Sequence, residues 1–570
     1  MRTLAFSLLT LAALCTTPAV ALAQNVYPLT PDSQPQDGVP KGRSESSKFT
    51  STKWFPGTVR DMRLYIPAQY DSKKPACVLV MQDGGGFRDT TVLDNLIAKG
   101  EIPVIIGIFI TPGVVPPTSP SALPRYNRSY EYDSPTDRYA KFLIDEVVPE
   151  VGKKYNLSKD PNDHAIAGGS SGGIAAFTAA FFRPDAFRRV ISFIGSYTDL
   201  RGATNYGALV RKFEPKPIRI FQQDGKNDQD IYSGSWPIGN TDLAAGLKFG
   251  RYEAMMTWGE GQHDGVQSTA LFPDALRFVW KGWPAPVGVA TDTPQPITKI
   301  VTADEKWKLI LLAPIDRGSE AQSISTASDG RVYVGLSGAI THFPAEEGEL
   351  HPSVGDSNAM IFSPDGRLIL AQNKQVVALD VKTGKKISLG KFGARGVVVG
   401  KNRNAYFTSS NGSIWLVPAD TKLKPKIVGN VPDASGITLV PDQTLLMVSS
   451  ATERYIHAFV IQTDGSLAHQ QPYHEVYVNH GETKSNAGGM VTDTNGWLYV
   501  ASPFGIQVLD QAGRVNGIIV NPTTEPTTQL AWSGSTLYAL TKDGKVYARK
   551  TKATGVQAFA DPIKPPAPRL

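Results

Sequence analysis

Two textures of apolar and polar positions divide the chain. In the first half, short unbroken apolar runs alternate with stretches of helical periodicity. Residues 76–81 (ACVLVM) and 103–109 (PVIIGIF) carry no polar position, as strands buried on both faces of a parallel sheet do. Residues 59–66 alternate well enough for a strand, which Pro67 closes; 217–221 (PIRIF) and 254–258 (AMMTW) read as two later strands. Residues 91–99, 136–155 and 274–280 have helical character, and in 136–155 the side chains of Tyr139, Phe142, Leu143, Val147 and Val148 mark one apolar face. Strands alternating with helices predict a parallel, doubly wound α/β domain. Residues 25–53 are polar and rich in Pro, Ser and Asp, and read as an irregular leader with no core of its own.

In the second half the helical periodicity stops and short strands dominate. A turn-plus-strand unit recurs, most clearly as Ser328-Asp329-Gly330-Arg331-Val332-Tyr333-Val334 and Pro364-Asp365-Gly366-Arg367-Leu368-Ile369-Leu370. Weaker copies begin at Asn402, Pro441, Thr494 and Gly534. Six units spaced roughly 35–55 residues apart predict a six-bladed β-propeller of four-stranded blades. Pro284, Pro286, Pro294 and Pro296 mark a linker before it. The expected plan is an export signal over 1–23, a leader over 24–53, an α/β domain over 54–283, a linker over 284–304 and a propeller over 305–560.

A chain of 570 residues exceeds one hydrophobic core, which agrees with this division. The formal charge of +6 is small for the length and dispersed, so no basic run points to nucleic acid. Residues 1–23 read as a secretory signal, with Arg2 at the start, an apolar stretch over 4–14 and an Ala21-Leu22-Ala23 cleavage site. The stretch is too short to span a bilayer, and Leu14 is too bulky to precede a lipidated Cys15. A secreted or periplasmic location is therefore expected. Cleavage leaves Cys77 alone, which excludes an internal disulfide and suits a small core residue.

The chemistry gathers at residues 164–182, HAIAGGSSGGIAAFTAAFF, which read as strand, sharp turn and helix. Gly168-Gly169-Ser170-Ser171-Gly172 fits the G-x-S-x-G elbow, and so does the register one residue on. Ser170 is taken as the nucleophile because the strand residues end at Ala167. A serine hydroxyl attacks only when a base takes its proton, and a strained turn lifts it toward one. Glycines flank it because a Cβ there would crowd strand against helix. The helix N-terminus, with the N–H of Ser171, suits a developing oxyanion. The loop Gln82-Asp83-Gly84-Gly85-Gly86-Phe87 follows a buried strand, and the N–H of Gly86 or Phe87 is expected as the second donor.

Between the signal and residue 300 the histidines are His164 and His263. His164 lies on the strand leading to Ser170 and cannot fold back, which leaves His263, in a glycine-rich loop after the last strand. The loop after 217–221 offers Asp224, Asp228 and Asp230 as the orienting acid. Asp224 is close to the strand end and suits a turn cap. Asp228 has the reach and is chosen, with Asp230 second. Arg125, Tyr126 and Tyr132 on the irregular stretch 114–132, with Trp236 and Trp258, are candidates for a wall that binds a sugar or phenolic acid.

Together these pieces resemble the enterochelin esterase/esterase D group of α/β-hydrolases, over about residues 50–283. The matching stretches are Phe55-Pro56-Gly57-Thr58, Leu64-Tyr65-Ile66-Pro67, Gln82-Asp83-Gly84, the elbow, Asp224-Gly225-Lys226-Asn227-Asp228 and Gly261-Gln262-His263. The resemblance implies cofactor-free hydrolysis of esters in catecholate siderophores, acylated or feruloylated polysaccharides, or small thioesters, with Ser170, Asp228 and His263 as the triad. Residues 307–549 resemble the gluconolactonase/regucalcin group of six-bladed propellers, whose members hold a divalent metal through a glutamate, an asparagine and an aspartate. Glu320 falls where the glutamate is expected. Ser435-Gly436 and Gly488-Gly489-Met490 stand in place of Asn-Gly and Asp-Gly-Met, so two ligands are lost. The propeller is expected to be a scaffold or binding module, and the chain an exported serine ester hydrolase acting on a polysaccharide, phenolic or siderophore ester.

Overall fold

The computed structural model describes residues 27–311, 321–336, 338–343, 351–352, 356–557 and 559–568. The export signal and Glu320 lie outside the described residues.

The first half is built on a ten-stranded sheet. Its strands are β1 (Arg43–Thr50), β2 (Val59–Ile66), β3 (Cys77–Met81), β4 (Ile105–Ile110), β5 (Val114–Val115), β6 (Arg125–Tyr126), β7 (His164–Gly169), β8 (Arg189–Phe193), β9 (Arg219–Gly225) and, after the two-residue hairpin β10 (Asp230–Ile231) and β11 (Gly234–Ser235), β12 (Glu253–Gly259). The spatial order is β12-β9-β8-β7-β3-β4-β2-β5-β6, with β1 on β2. From β12 to β4 every pairing is parallel; β2, β1, β5 and β6 are antiparallel.

The helices are α1 (Asp89–Ala98), α2 (Arg128–Tyr132), α3 (Arg138–Phe142), α4 (Val148–Gly152), α5 (Ser171–Phe182), α6 (Tyr206–Lys212), α7 (Trp236–Phe249) and α8 (Val266–Trp280). A π turn over Leu143–Val147 joins α3 to α4 within the stretch read as one helix. One apolar cluster packs α1 and α8 on one sheet face, and another packs α3, α5 and α6 on the other. Cys77 is buried in the first of these.

Two expectations change here. The leader is not irregular throughout, because β1 pairs with β2 along its whole length. Its sequence, RSESSKFT, lies mostly exposed, so the strand is held by backbone hydrogen bonds and leaves no apolar signature. The stretch 114–132 likewise forms β5, β6 and α2.

The second half is a six-bladed propeller: six four-stranded antiparallel sheets, whose innermost strands neighbour one another in a closed ring. The sixth blade joins Lys308–Leu311 to Thr527–Ser533, Thr536–Thr541 and Val546–Lys550, so the two ends of the propeller close it. Glycines let the inner strands touch: a Cβ on Gly436 would lie 2.0 Å from the Gly488 carbonyl oxygen, and one on Gly488 would lie 2.3 Å from that of Thr528.

The halves share a core. The cluster beneath α5 and α6 continues into Met447, Ile456, Leu498, Val500 and Ile518 of the propeller. Phe213 forms a parallel bridge with Ile518, and Phe504 packs on Phe182, Phe213 and Tyr477. The Arg549 guanidinium donates to both oxygens of Glu214 at 2.9 and 2.7 Å. The linker is docked as well: Gln295 Nε2 donates to the carbonyls of Val210 and Phe213, and Ile297, Ile300 and Val301 are buried.

Candidate active site

The strand β7 ends in a backbone that few residues adopt. Ser170 has φ 55° and ψ −125°, and α5 begins at the next residue. Such a conformation costs about 1–3 kcal/mol and persists only where packing over-determines it. Here a Cβ on Gly168 would lie 2.4 Å from the Gly172 carbonyl, and one on Gly172 would meet Asp83 and Gln82 at 2.9 Å. Ser170 N–H donates to the Phe193 carbonyl at 2.9 Å, which ties the turn to β8.

From this turn Ser170 Oγ–H donates to His263 Nε2 at 2.8 Å, and His263 Nδ1–H donates to Asp228 Oδ1 at 2.6 Å. The two supporting loops meet through glycines. A Cβ on Gly225 would lie 2.1 Å from the Gly261 carbonyl oxygen. Lys226 N–H and Asn227 N–H donate to the carbonyls of Gly259 and Gly261, and Asn227 Nδ2 donates to that of Glu260. The loop after β9 is thereby fastened to the loop after β12, and Asp228 meets the imidazole. Asp230 is exposed on β10. His164 is buried and held by the carbonyls of Ser158 and Ala186.

Of the two expected loop donors, Gly86 is occupied: its N–H donates to Asp89 Oδ2 at 2.9 Å, closing the turn that starts α1. That corrects the expectation for Gly86 and leaves the N–H of Phe87. The Phe87 ring packs edge-on against Phe193 at 5.0 Å, beside the elbow. Ser171 opens α5, where the first N–H groups have no intrahelical acceptor.

The wall candidates separate. Tyr132 is fully buried and its hydroxyl accepts the Asp83 N–H, so it positions the 82–87 loop and lines no wall. Trp236 is also buried, with its ring edge-to-face on His263 at 5.4 Å. Trp258 lies on the edge strand β12, whereas Arg125 and Tyr126 lie exposed on β6 at the opposite edge. They do not form one surface. Sequence reasoning missed Ser196, whose Oγ lies 3.3 Å from Ser170 Oγ, and Asn240, which binds Asp224 from α7 at 3.0 Å. Neither lies in a motif that would single it out.

The propeller channel holds a cavity of about 130 Å³ lined by Ser435, Gly436, Gly489 and Met490. Among its described lining residues the charged one is Arg395, paired with Asp433 at 2.5 Å. The described lining thus presents hydroxyls, apolar groups and an ion-paired guanidinium but no carboxylate side chain, whereas a hard divalent metal asks for several anionic or carbonyl oxygens; Glu320 lies outside the described residues. No helix among the described residues is long and apolar enough to cross a membrane.

Residues 56–244 match the family model described as "Putative esterase". The iron(III) enterobactin esterase of Dickeya dadantii is 25% identical over 247 residues, covering 38% of this chain and 54% of that protein, so the chain spans about half the length of that relative. Among solved structures, the enterobactin esterase of Shigella flexneri is 19% identical, with a TM-score of 0.34, over 45% of this chain and 63% of that one. A gluconolactonase of Xanthomonas campestris is 16% identical, with a TM-score of 0.36, over 44% of this chain and 97% of that one. The chain thus carries an esterase-type α/β domain fused to a six-bladed β-propeller.

Proposed function

We propose that the protein is an exported serine hydrolase of carboxylic esters. Ser170 Oγ attacks the ester carbonyl carbon while His263 Nε2 takes its proton. Asp228 fixes the tautomer that leaves Nε2 free to accept and stabilises the imidazolium that forms. The N–H groups of Ser171 and Phe87 face the oxyanion, and one such donor is worth roughly 3–4 kcal/mol. Collapse expels the alcohol, which takes the proton from Nε2. A water activated by the same imidazole then releases the acid from Ser170. No cofactor enters these steps.

The observation that carries this reading is the pair of hydrogen bonds at 2.8 and 2.6 Å that joins the strained serine to a buried carboxylate through one imidazole. Esters of polysaccharides, phenolic acids or catecholate siderophores are the proposed substrates, in keeping with the enterobactin esterase likeness. The propeller braces the α/β domain through the shared core and widens the surface open to a large substrate. Labelling with a fluorophosphonate, followed by peptide mass analysis, should place the adduct on Ser170, and Ser170→Ala should remove it. Equal labelling of both proteins would sink the reading. A panel of acetyl, feruloyl and siderophore esters then selects the substrate.

A further inference from the structure

Asp228 offers His263 only one of its oxygens. Oδ1 accepts from His263 Nδ1–H at 2.6 Å and from Gln229 N–H at 2.5 Å. Oδ2 is buried and receives no N–H or hydroxyl donor. A buried carboxylate oxygen left this way keeps its whole desolvation penalty. Besides His263, a second carboxyl comes within side-chain hydrogen-bonding reach of Asp228, that of Asp224, at the end of β9 and fully shielded from solvent.

Asp224 is fixed in place. Its Oδ1 accepts the Gly225 N–H at 2.9 Å, and its Oδ2 accepts Asn240 Nδ2 at 3.0 Å. Asn240 is itself held on α7 by the carbonyls of Trp236 and Gly195. The titratable groups facing Asp224 are Asp228 from its own loop and, beyond Asp228, His263 from the loop after β12; α7 contributes the neutral Asn240. Two full negative charges do not coexist in such a space, and one shared proton removes the repulsion and fills the orphaned lone pair together.

We propose that Asp224 is a positioning residue that keeps its proton at neutral pH and donates it to Asp228 Oδ2, so that Asp228 turns its charge through Oδ1 onto His263. This rests on the reading of Ser170, His263 and Asp228 as the hydrolytic machinery. Burial first, and then the hydrogen bond to Asp228 and its charge, push the Asp224 carboxyl up to about 9. Burial works against an ionised Asp228 too, yet the bonds from His263, Asp224 and Gln229 N–H outweigh it and hold Asp228 below the usual carboxylate value. Above about pH 9 the shared proton leaves, Oδ2 faces a second charge, and the imidazole loses its orienting partner.

The test is a pH profile of kcat on 1-naphthyl acetate, corrected for spontaneous hydrolysis, with the rate of fluorophosphonate labelling as a parallel readout. The full-length wild type should lose activity as pH rises through about 9, to at least tenfold below its plateau by pH 10.5. In Asp224→Asn the amide nitrogen donates to Asp228 at every pH but cannot accept from Asn240 Nδ2, so the plateau should fall by no more than about tenfold while the alkaline decline vanishes. In Asp224→Ala kcat should fall at least tenfold at all pH values, with KM within about twofold. An Asp224→Asn profile that declines as the wild type does overturns the proposal, whether or not Asp224→Ala folds. Equal hydrolysis by wild type and Ser170→Ala overturns the hydrolytic reading with it. An active wild type, an inactive Ser170→Ala and an unchanged Asp224→Asn profile overturn the shared proton alone.

Discussion

Glu214→Ala should cost the whole chain about 3 kcal/mol, although the residue lies in neither candidate site. Glu214 Oε1 accepts from Arg549 Nη1 at 2.9 Å and from Val520 N–H at 3.0 Å, and Oε2 accepts from Arg549 Nη2 at 2.7 Å. The Arg549 side chain is only 3% exposed. Removing one partner of a buried pair leaves an uncompensated charge, at a cost of about 3–5 kcal/mol. The lower end applies here, because Arg549 Nη2 keeps a contact with the Thr302 carbonyl at 3.3 Å and the guanidinium still lies over the Trp307 ring. Equilibrium urea unfolding followed by tryptophan fluorescence measures the loss. Replacing both members, as Glu214→Leu with Arg549→Met, should recover more than half of it, since no buried charge remains. A loss below about 1 kcal/mol, or a double variant as weak as the sum of the singles, would refute the account of this ion pair. Because the apolar core crosses between the halves, both should lose stability together; an α/β half that kept its wild-type midpoint would refute the shared core.

Three further outcomes are expected. Ser170→Ala should lower kcat on any hydrolysed ester by about 10⁴-fold or more, measured in the steady state, while far-UV circular dichroism stays that of wild type. Gly225→Ala should drive the loops bearing Asp228 and His263 apart, since its Cβ would lie 2.1 Å from the Gly261 oxygen; kcat should fall at least tenfold and stability by about 1–3 kcal/mol, a stable and fully active variant being the contrary result. Lys216 is buried, and burial pushes its ammonium down to about 7, below the value near 10.4 of an unfolded chain. Between pH 7 and 10 the unfolded state therefore binds more protons, so this group should make stability rise with pH by at most about 1.4 kcal/mol per unit. Urea midpoints across that range should show the slope in wild type and lose it in Lys216→Met.

The parts of the fold legible in the sequence are those written in side-chain burial. β3 and β4 sit in the middle of the sheet and are apolar on both faces, so each appears as an unbroken run. The clearest propeller hairpins appear because their turns carry Asp-Gly, at 329–330 and 365–366. β1 is invisible to such reading because its polar side chains face out and its partner is backbone. At the site, the elbow and His263 could be read because their residue types are scarce and their spacing strict. The choice among three aspartates depends on something no local pattern records: the contact of Gly225 with Gly261, two loops that approach only after β9 and β12 pair. The choice between the N–H groups of Gly86 and Phe87 turns on a local side-chain contact, since that of Gly86 is claimed by Asp89 three residues on. Tyr132 and Trp236 show the limit of composition, because a buried aromatic and a substrate-facing one have the same letters.

The propeller is joined both to the segment that leads into β9 and to the helix that follows the serine. The chain leaves α6 at Lys212, whose Nζ donates to the Tyr477 hydroxyl, and runs through Phe213 and Glu214, both fixed to the propeller. Lys216 Nζ then donates to the Phe181 carbonyl, and Tyr252 accepts the Lys216 N–H. Three residues later β9 begins, and its far end holds Asp224, with Asp228 just beyond. The docking segment therefore sets where β9 starts, and β9 sets where the carboxylates end. β7, which carries Ser170, lies between β3 and β8 in the middle of the sheet, and α5, which starts at the next residue, meets the propeller at its far end through Phe182 on Phe504. A disturbance at the domain junction therefore has two routes to the site, along β9 to the carboxylates and along α5 to the elbow. Under the proposed mechanism both routes end on groups that move the proton, so Glu214→Ala should lower kcat more than it raises KM; an unchanged kcat would count against the coupling.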